Sequence, residues 1–191
     1  MLVIAACLVA IVSVVPASGR LSRLAEVRLR GLWLPVAALA LQVVILEVVP
    51  RAPRALLVVG HLASYVLAGI FVWLNRSVPG LLVVAAGATL NGVVIAINGG
   101  TLPASPSAQR LAGITEVPGD FANSGVVARP HLSVLGDVFA WPQPLPLANV
   151  FSVGDLLIVL GVGIAAHGIC RSRLSRRAAS APLLAQGAVD G

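Results

Sequence analysis

NVFSVGDLLIVLGVGIAAHGI, residues 149–169, is typical of a membrane-spanning helix, and it carries one acidic side chain, Asp155, near its start. A bilayer core of about 30 Å requires roughly 20 apolar residues at 1.5 Å each. A carboxylate at membrane depth costs about 3 kcal/mol on insertion scales, so it usually marks a functional or partner-paired position. The segment therefore predicts a helical membrane protein and indicates where its working site lies.

The composition of the whole chain favours the same class. Of its 191 residues, 58% are hydrophobic and 10% are charged, whereas a soluble domain carries about 25% charged residues. The 13 basic residues are all arginine, which suggests a GC-rich bacterial genome, and they give a formal net charge of +6. They are not interleaved with aromatic residues, so their pattern follows membrane topology and does not indicate nucleic-acid binding.

Five apolar segments are long enough to cross a bilayer. They cover approximately residues 1–17, 31–50, 55–75, 79–98 and 149–170. We expect an all-α integral membrane protein, a five-helix transmembrane bundle over residues 1–172, with a long extracytoplasmic loop, 99–148, between helices 4 and 5. The basic tail, 173–191, is expected to be disordered and cytoplasmic.

The arginines predict the orientation, since cytoplasmic connections are enriched in them. Nine lie in connections on one side, namely Arg20, Arg23, Arg28, Arg30, Arg76, Arg171, Arg173, Arg176 and Arg177. Four lie on the other side, two of them in the long loop. We expect a multi-pass protein of the bacterial plasma membrane with its N-terminus outside and its C-terminus in the cytoplasm. A cleaved signal peptide at 1–17 is the alternative, but a basic n-region is missing.

Polar side chains gather in the outer half of the predicted bundle. At 1.5 Å per residue, His61, Asn91 and Asp155 all lie roughly 9–10 Å below the outer surface, and Glu47 lies closer to it. Each also has a structural interpretation. Asn149 or Ser152 can cap the last helix, with Ser152 and Asp155 at capping-box spacing. His61 and Asn91 can simply bond a neighbouring helix, and Glu47 can reach solvent.

The long loop is a second indication of function, because loops of this length are usually functional or disordered. It opens with a turn-rich stretch, Asn98-Gly99-Gly100-Thr101-Leu102-Pro103, and its second half is apolar. We expect it to fold over the outer mouth of the bundle and to bring Arg129, His131 and Asp137 near Asp155.

These stretches resemble an uncharacterised bacterial membrane family, domain of unknown function 5317. The matching motifs are the Asn98–Pro103 turn, Leu135-Gly136-Asp137, Pro142-Gln143-Pro144 and Ser152-Val153-Gly154-Asp155. Leu102 stands where the family usually has methionine. The resemblance implies a fold and a membrane location, and it implies no activity.

The last loop and helix are also similar to the lipoprotein signal peptidase family. Arg129 and Asp137 have the spacing of that family's arginine and first aspartate, and Asp155 follows 18 residues later. This likeness implies two aspartates that share a proton and activate water. Ala128 departs from the family pattern, where an aspartate stands.

The favoured hypothesis is a non-enzymatic protein with an outward-facing polar pocket that binds a lipid, a small ligand or a partner protein. The predicted pocket residues are Asp155, Asp137, His61, Asn91, Asn98, Arg129, His131, Ser152 and Asn149. One alternative is a membrane hydrolase or peptidase using Asp137 and Asp155, and another is a purely structural membrane subunit. No cofactor or metal is expected, because no Cys/His cluster or phosphate-binding loop is present.

Overall fold

Five apolar helices and a folded loop make up the described part of the chain, which is residues 1–115 and 121–176 of a computed structural model. In chain order the helices are α1 Leu2–Val12, α2 Trp33–Val43, α3 Arg54–Leu74, α4 Leu81–Ile97, α5 Pro106–Ala112 and α6 Val153–Ile169. The five apolar helices are α1, α2, α3, α4 and α6. Helix α5 is short and belongs to the loop. Most of the predicted tail, residues 177–191, lies outside the described residues.

Each predicted span contains one apolar helix, but most of these helices are shorter than the span. Among the described residues, α3 is the helix that is long and apolar enough to cross a membrane by itself, with a mean hydropathy of 2.1. The others have 10–17 residues. After α2 the chain continues as a π-helical turn, Val44–Val48. The five-helix membrane bundle therefore stays a prediction.

Large apolar side chains are exposed along the helices, and some polar side chains are buried between them. Trp33 and Trp73 are each 67% exposed, and Leu56 is 61% exposed. The fully or nearly fully buried side chains include polar ones, such as His61 at 0% and Ser152 at 0%.

Helices α4 and α6 pack more extensively than any other pair in the described chain, because glycines let their backbones meet. A Cβ atom added at Gly161 of α6 would lie 2.6 Å from the backbone nitrogen of Val84 and 2.8 Å from the carbonyl oxygen of Gly80. Gly87 of α4 faces the backbone of Gly154 in the same way. The start of α6 is therefore fixed against the middle of α4.

One end of the helices gathers most of the arginine-bearing connections. The backbone N–H of Arg20 donates to the carbonyl of Cys170 (3.1 Å), and that of Arg173 donates to the carbonyl of Ala17 (2.9 Å). The Asn75 side chain, at the end of α3, pairs with both backbone groups of Arg30 before α2. We call this the arginine end, and the opposite end carries the folded loop.

The loop builds two small sheets over the other end. Strand β1 (Leu102–Pro103) pairs in parallel with β2 (Ser124–Gly125), and β3 (Phe139–Trp141) pairs antiparallel with β4 (Asn149–Phe151). Phe121 anchors the loop to the helices, since its N–H donates to the Pro50 carbonyl (3.0 Å) and its ring packs with Ile45 and Leu57. The first half of the loop is thereby held over the ends of α2 and α3.

Candidate functional site

The start of α6 is held by a closed ring of hydrogen bonds. Ser152 and Asp155 form a capping box: the Asp155 N–H donates to Ser152 Oγ (3.1 Å), and the Ser152 N–H donates to Asp155 Oδ2 (3.0 Å). The Ser152 hydroxyl donates to Asn91 Oδ1 (3.0 Å), and Asn91 Nδ2 donates to Asp155 Oδ1 (3.1 Å). Both carboxylate oxygens of Asp155 therefore accept hydrogen bonds, as expected for a partner-paired acidic group in an apolar helix.

We expect Ser152→Ala to lower the free energy of unfolding by about 2–4 kcal/mol. The substitution removes the helix cap, worth about 1 kcal/mol, and leaves the buried Asn91 Oδ1 without this donor, at about 1–3 kcal/mol. Denaturant unfolding of the purified protein in detergent micelles would measure the change. Ser77→Ala, at an exposed position, is the control, and equal stability of the two variants would contradict the role of the ring.

Asp137 lies in the loop, within electrostatic range of this ring. Its backbone is hydrogen-bonded to the first half of the loop. The Asp137 N–H donates to the Pro103 carbonyl (2.8 Å), and the Asp137 carbonyl accepts from the Ser105 N–H (3.0 Å). The residue is 4% exposed, and within the described chain its Oδ1 has no hydrogen-bond partner. Burial raises the pKa of the Asp137 carboxyl to about 6; the nearby Ser124 hydroxyl opposes this, and the Asp155 charge adds to it.

The two aspartates are thus electrostatically coupled, but no hydrogen bond between them is found in the described residues. Asp155 uses its two oxygens on Asn91 and Ser152, while Asp137 is held by the backbone of the loop. The Ser124 side chain lowers the Asp137 pKa, yet Ser124 Oγ makes no hydrogen bond of acceptable geometry in the part of the chain described. Fewer hydrogen bonds from the described residues therefore reach the carboxyl of Asp137 than reach that of Asp155.

His61 fastens α3 to the turn that follows α4. Its Nδ1 lies 2.9 Å from the carbonyl oxygen of Gly100, which can only accept, so Nδ1 carries the proton. Its ring lies between those of Tyr65 and Phe121, with centroid distances of 5.7 Å to each. Nε2 is buried and has no partner among the described residues. His61 therefore sits beneath the loop, beside the ring of bonds around Asp155 and not within it.

Four of the other predicted pocket residues make no hydrogen bond to Asp155 in the described structure. Asn98 holds the backbone of His131, accepting from its N–H (2.8 Å) and donating to its carbonyl (2.9 Å). The side chains of His131 and Arg129 are exposed on the loop, and neither bonds the Asp155 carboxylate in the described structure. Asn149 lies in β4, where its Oδ1 accepts from the Val150 N–H (2.9 Å), and Ser152 is the residue that caps α6.

A cavity of about 600 Å³ opens at the loop end, a short distance from these residues. It is lined by Leu46, Glu47, Arg54, Asn98, Thr101, Ile114, Thr115, Phe121, Ala122, Asn123, Ser124, Gly125, Val126 and Val127. We call it the loop-end pocket. Of these residues, Asn98 was predicted from the sequence as a pocket residue, and Glu47 and Thr101 were named there for other reasons. Sequence spacing could not predict that loop residues 121–127 line the pocket, because only the tertiary fold brings them there.

Two opposite charges line the loop-end pocket. Arg54 Nη2 donates to the carbonyl of Gly99 (3.1 Å), and its guanidinium lies 5.9 Å from the centre of the Phe121 ring. Glu47 is exposed on the π-helical turn that ends α2. Such turns are rare and often occur at functional sites. The pocket thus presents a cation and an anion separated by apolar side chains.

The described residues offer no metal site, since no three His, Cys, Asp or Glu side chains within residues 1–115 and 121–176 come together. Cys7 and Cys170 are both free thiols. Cys170 lies at the arginine end, 1% exposed, in a cluster with Val14 and Ala166.

Comparison with known proteins places these residues inside a shared sequence region. The sequence model described as "Family of unknown function (DUF5317)" matches residues 26–166, which include every residue of the ring and the loop-end pocket. An uncharacterized protein of Thermotoga maritima is 33% identical over 94 residues, 49% of this chain and 54% of the relative. The chain thus spans about half the length of that curated relative. No solved structure matches the chain.

Proposed function

This chain belongs to DUF5317, a family of unknown function, as its motifs predicted, and we propose that it is a multi-pass membrane protein that binds a small ligand in the loop-end pocket. The ligand proposed is a zwitterion that carries an oxyanion, an ammonium group and a short apolar body. The observation that carries the proposal is that Arg54 and Glu47, which have opposite charges, both line one cavity of about 600 Å³.

The membrane part of the proposal is supported by the apolar surface and by the arginines. Large apolar side chains are exposed along the helices, including Val59 at 65% and Leu39 at 61%. Lipid tails would cover such a surface, whereas water would not. The arginine end would face the cytoplasm by the positive-inside rule, which directs the loop-end pocket outward. The chain would then sit in a bacterial plasma membrane with its C-terminus inside.

The pocket has the size and lining of a small-molecule site. Such sites usually measure about 300–1,000 Å³, with apolar walls and a few fixed polar groups. Here Phe121, Ile114 and Leu46 supply apolar surface. The hydrogen bond from Arg54 to Gly99 and the contact with Phe121 fix the guanidinium plane. A guanidinium has five N–H donors and suits oxyanions, while the Glu47 carboxylate suits an ammonium group.

Binding accounts for this arrangement better than hydrolysis by Asp137 and Asp155. An aspartate pair that activates water needs both carboxyl groups within reach of that water. Asp155 has both oxygens engaged by Asn91 and Ser152, and Asp137 is 4% exposed. A purely structural role would explain the ring of hydrogen bonds, but it gives no reason for an open pocket with two opposite charges.

We expect O-phosphoethanolamine to bind the detergent-solubilised protein and Arg54→Gln or Glu47→Gln to weaken this binding about 10–100-fold. The physical reason is the loss of a hydrogen bond to a charged group, worth about 1.5–3 kcal/mol. Isothermal titration calorimetry would measure the affinity. Arg110→Gln is the control, because Arg110 is exposed on α5 and does not line the pocket.

Two results would overturn the proposal. The first is no detectable binding of O-phosphoethanolamine at millimolar concentration. The second is equal affinity in the Arg54→Gln, Glu47→Gln and Arg110→Gln proteins, which would place any binding elsewhere. Fractionation of the cells provides a separate check on location, since the full chain should remain in membranes washed with alkaline carbonate.

A further inference from the structure

A second cavity lies at the arginine end, remote from the loop-end pocket. It measures about 610 Å³ and is lined by Ala10, Pro79, Val159, Leu160, Gly163, Ile164, His167, Gly168, Leu174 and Ser175. We call it the α6 groove, because most of its wall belongs to that helix. Its surface is almost wholly apolar, and it opens outward between α1, α6 and the turn before α4.

Small residues create the α6 groove. A Cβ atom added at Gly163 would meet one neighbour within 4 Å, the Cβ of Ala10, at 3.8 Å. Neighbouring Leu160 and Ile164 are 55% and 42% exposed, so they form apolar sides to the gap. In a bilayer such a concavity is filled by hydrocarbon, which makes the shape suitable for one acyl chain.

A hydrogen-bonded chain through His167 fixes the base of the groove. Ser13 Oγ donates to the Ala10 carbonyl (2.7 Å), so it accepts from His167 Nε2 (3.0 Å). The other ring nitrogen, Nδ1, is hydrogen-bonded to the Ser172 hydroxyl (2.8 Å). These bonds tie α1, α6 and the segment after α6 together, and they engage both ring nitrogens. The groove is therefore preformed.

Two arginines belong to the chain segment that forms one wall of the groove at the arginine end. After α6 the chain folds back, with the Arg173 N–H on the Ala17 carbonyl (2.9 Å) and Ser175 Oγ on the Ser172 carbonyl (2.9 Å). This fold places Leu174 and Ser175 in the groove wall, and Arg171 and Arg173 are exposed in the same short segment. Basic residues next to an apolar gap between helices are suited to anionic headgroups.

We infer that the α6 groove binds one acidic phospholipid of the inner leaflet, with an acyl chain in the groove and the headgroup phosphate on Arg171 and Arg173. The inference rests on the membrane part of the proposed function and is independent of the loop-end pocket. The charge of the arginines selects the occupant: a zwitterionic lipid would fill the groove equally well but would gain less from the two cations.

Native mass spectrometry of the detergent-solubilised protein with dioleoylphosphatidylglycerol or dioleoylphosphatidylcholine tests this site. We expect one tightly bound phosphatidylglycerol, preferred over phosphatidylcholine by about tenfold. Gly163→Phe, which fills the groove, should weaken phosphatidylglycerol binding by about tenfold. Gly69→Phe is the control, since nothing lies within 4 Å of a Cβ at that position on α3.

The double variant Arg171→Gln and Arg173→Gln tests the headgroup contact without altering the packing. It should reduce the preference for phosphatidylglycerol to near parity, whereas Arg110→Gln, exposed on α5 at the loop end, should keep it. Equal binding of the two lipids by the unaltered protein would overturn the inference, as would equal loss in Gly163→Phe and Gly69→Phe. A dimer that Gly163→Phe dissociates would also overturn it, because the occupant would then be a second copy.

The two proposals fail separately. If phosphatidylglycerol selectivity persists while O-phosphoethanolamine does not bind, the loop-end pocket proposal is wrong and the groove stands. If O-phosphoethanolamine binds and depends on Arg54 while the lipids bind equally, the groove inference is wrong and the pocket stands.

Discussion

Gly161→Ala is expected to lower the free energy of unfolding by about 1–3 kcal/mol, although alanine is the better helix former by about 1 kcal/mol. The added methyl group would lie 2.6 Å from the backbone nitrogen of Val84 and 2.8 Å from the carbonyl oxygen of Gly80. Backbone atoms cannot rotate away as a side chain can. Helices α4 and α6 would therefore have to move apart at this contact.

The measurement is the unfolding midpoint of the purified variant in detergent, compared with Gly69→Ala. Gly69 also lies within a helix, but a Cβ at that position would have no neighbour within 4 Å. Helix propensity alone predicts that both variants gain stability, so the difference between them isolates the contact of α4 with α6. A Gly161→Ala protein as stable as Gly69→Ala would contradict this contact.

Separation of α4 and α6 would also disturb the ring of hydrogen bonds at the start of α6. Asn91 lies on α4, while Ser152 and Asp155 belong to α6, and the distances between them are 3.0 and 3.1 Å. A shift of 1 Å would break bonds of this length. We therefore expect Gly161→Ala and Ser152→Ala to combine less than additively, since both loosen the same contact.

The sequence was sufficient to predict the five apolar helical segments and the residues that start α6, but it did not predict the loop helix α5. Apolar length identified the five helical segments, and Ser152 with Asp155 has the spacing of a capping box, which the structure shows. These features depend on neighbours a few residues apart. The match of residues 26–166 to the family also confirms the resemblance inferred from the short motifs.

The grouping of the polar residues was predictable only in part. Spacing along a helix gives depth, so His61, Asn91 and Asp155 were expected at one level. Depth does not give the direction around the axis, which turns by about 100° per residue. Asn91 consequently meets Asp155, whereas His61 faces Gly100 and Phe121.

The loop was the least predictable part, because contacts distant in sequence set its path. The expectation that Arg129 and His131 approach Asp155 is not met, since Asn98 bonds the His131 backbone and both side chains stay exposed. The loop-end pocket also depends on the bond between the Phe121 N–H and the Pro50 carbonyl. Nothing near Phe121 in the sequence indicates that partner.

Asp137→Asn is expected to stabilise the protein at pH 8 and to leave its stability at pH 4 nearly unchanged. Burial raises the pKa of the Asp137 carboxyl from 3.8 to about 6 in the folded chain. The stabilisation that comes from the protonated carboxyl is therefore fully present below about pH 4. This contribution is lost as pH rises through 6, because the unfolded chain releases the proton more easily. The rise in the pKa of Asp137 from 3.8 to about 6 corresponds to about 3 kcal/mol of free energy of unfolding.

Denaturant unfolding of both proteins at intervals between pH 4 and pH 8 would measure this effect. The difference in free energy of unfolding should grow with pH in favour of Asp137→Asn and level off above about pH 7. Glu26→Gln is the control, because Glu26 is exposed at the arginine end. Parallel curves for Asp137→Asn and the unaltered protein would show that the folded state does not disfavour the charge.

A stabilising Asp137→Asn would carry an argument about function as well. A buried carboxyl with an unpartnered oxygen lowers stability at neutral pH, and proteins retain such groups mainly where they are used. We therefore expect the more stable variant to bind O-phosphoethanolamine differently from the unaltered protein, because Ser124 lines the loop-end pocket and also acts on the Asp137 carboxyl. If Asp137→Asn and the unaltered protein bind O-phosphoethanolamine with the same affinity at both pH 5 and pH 8, Asp137 acts only in the folding of the loop.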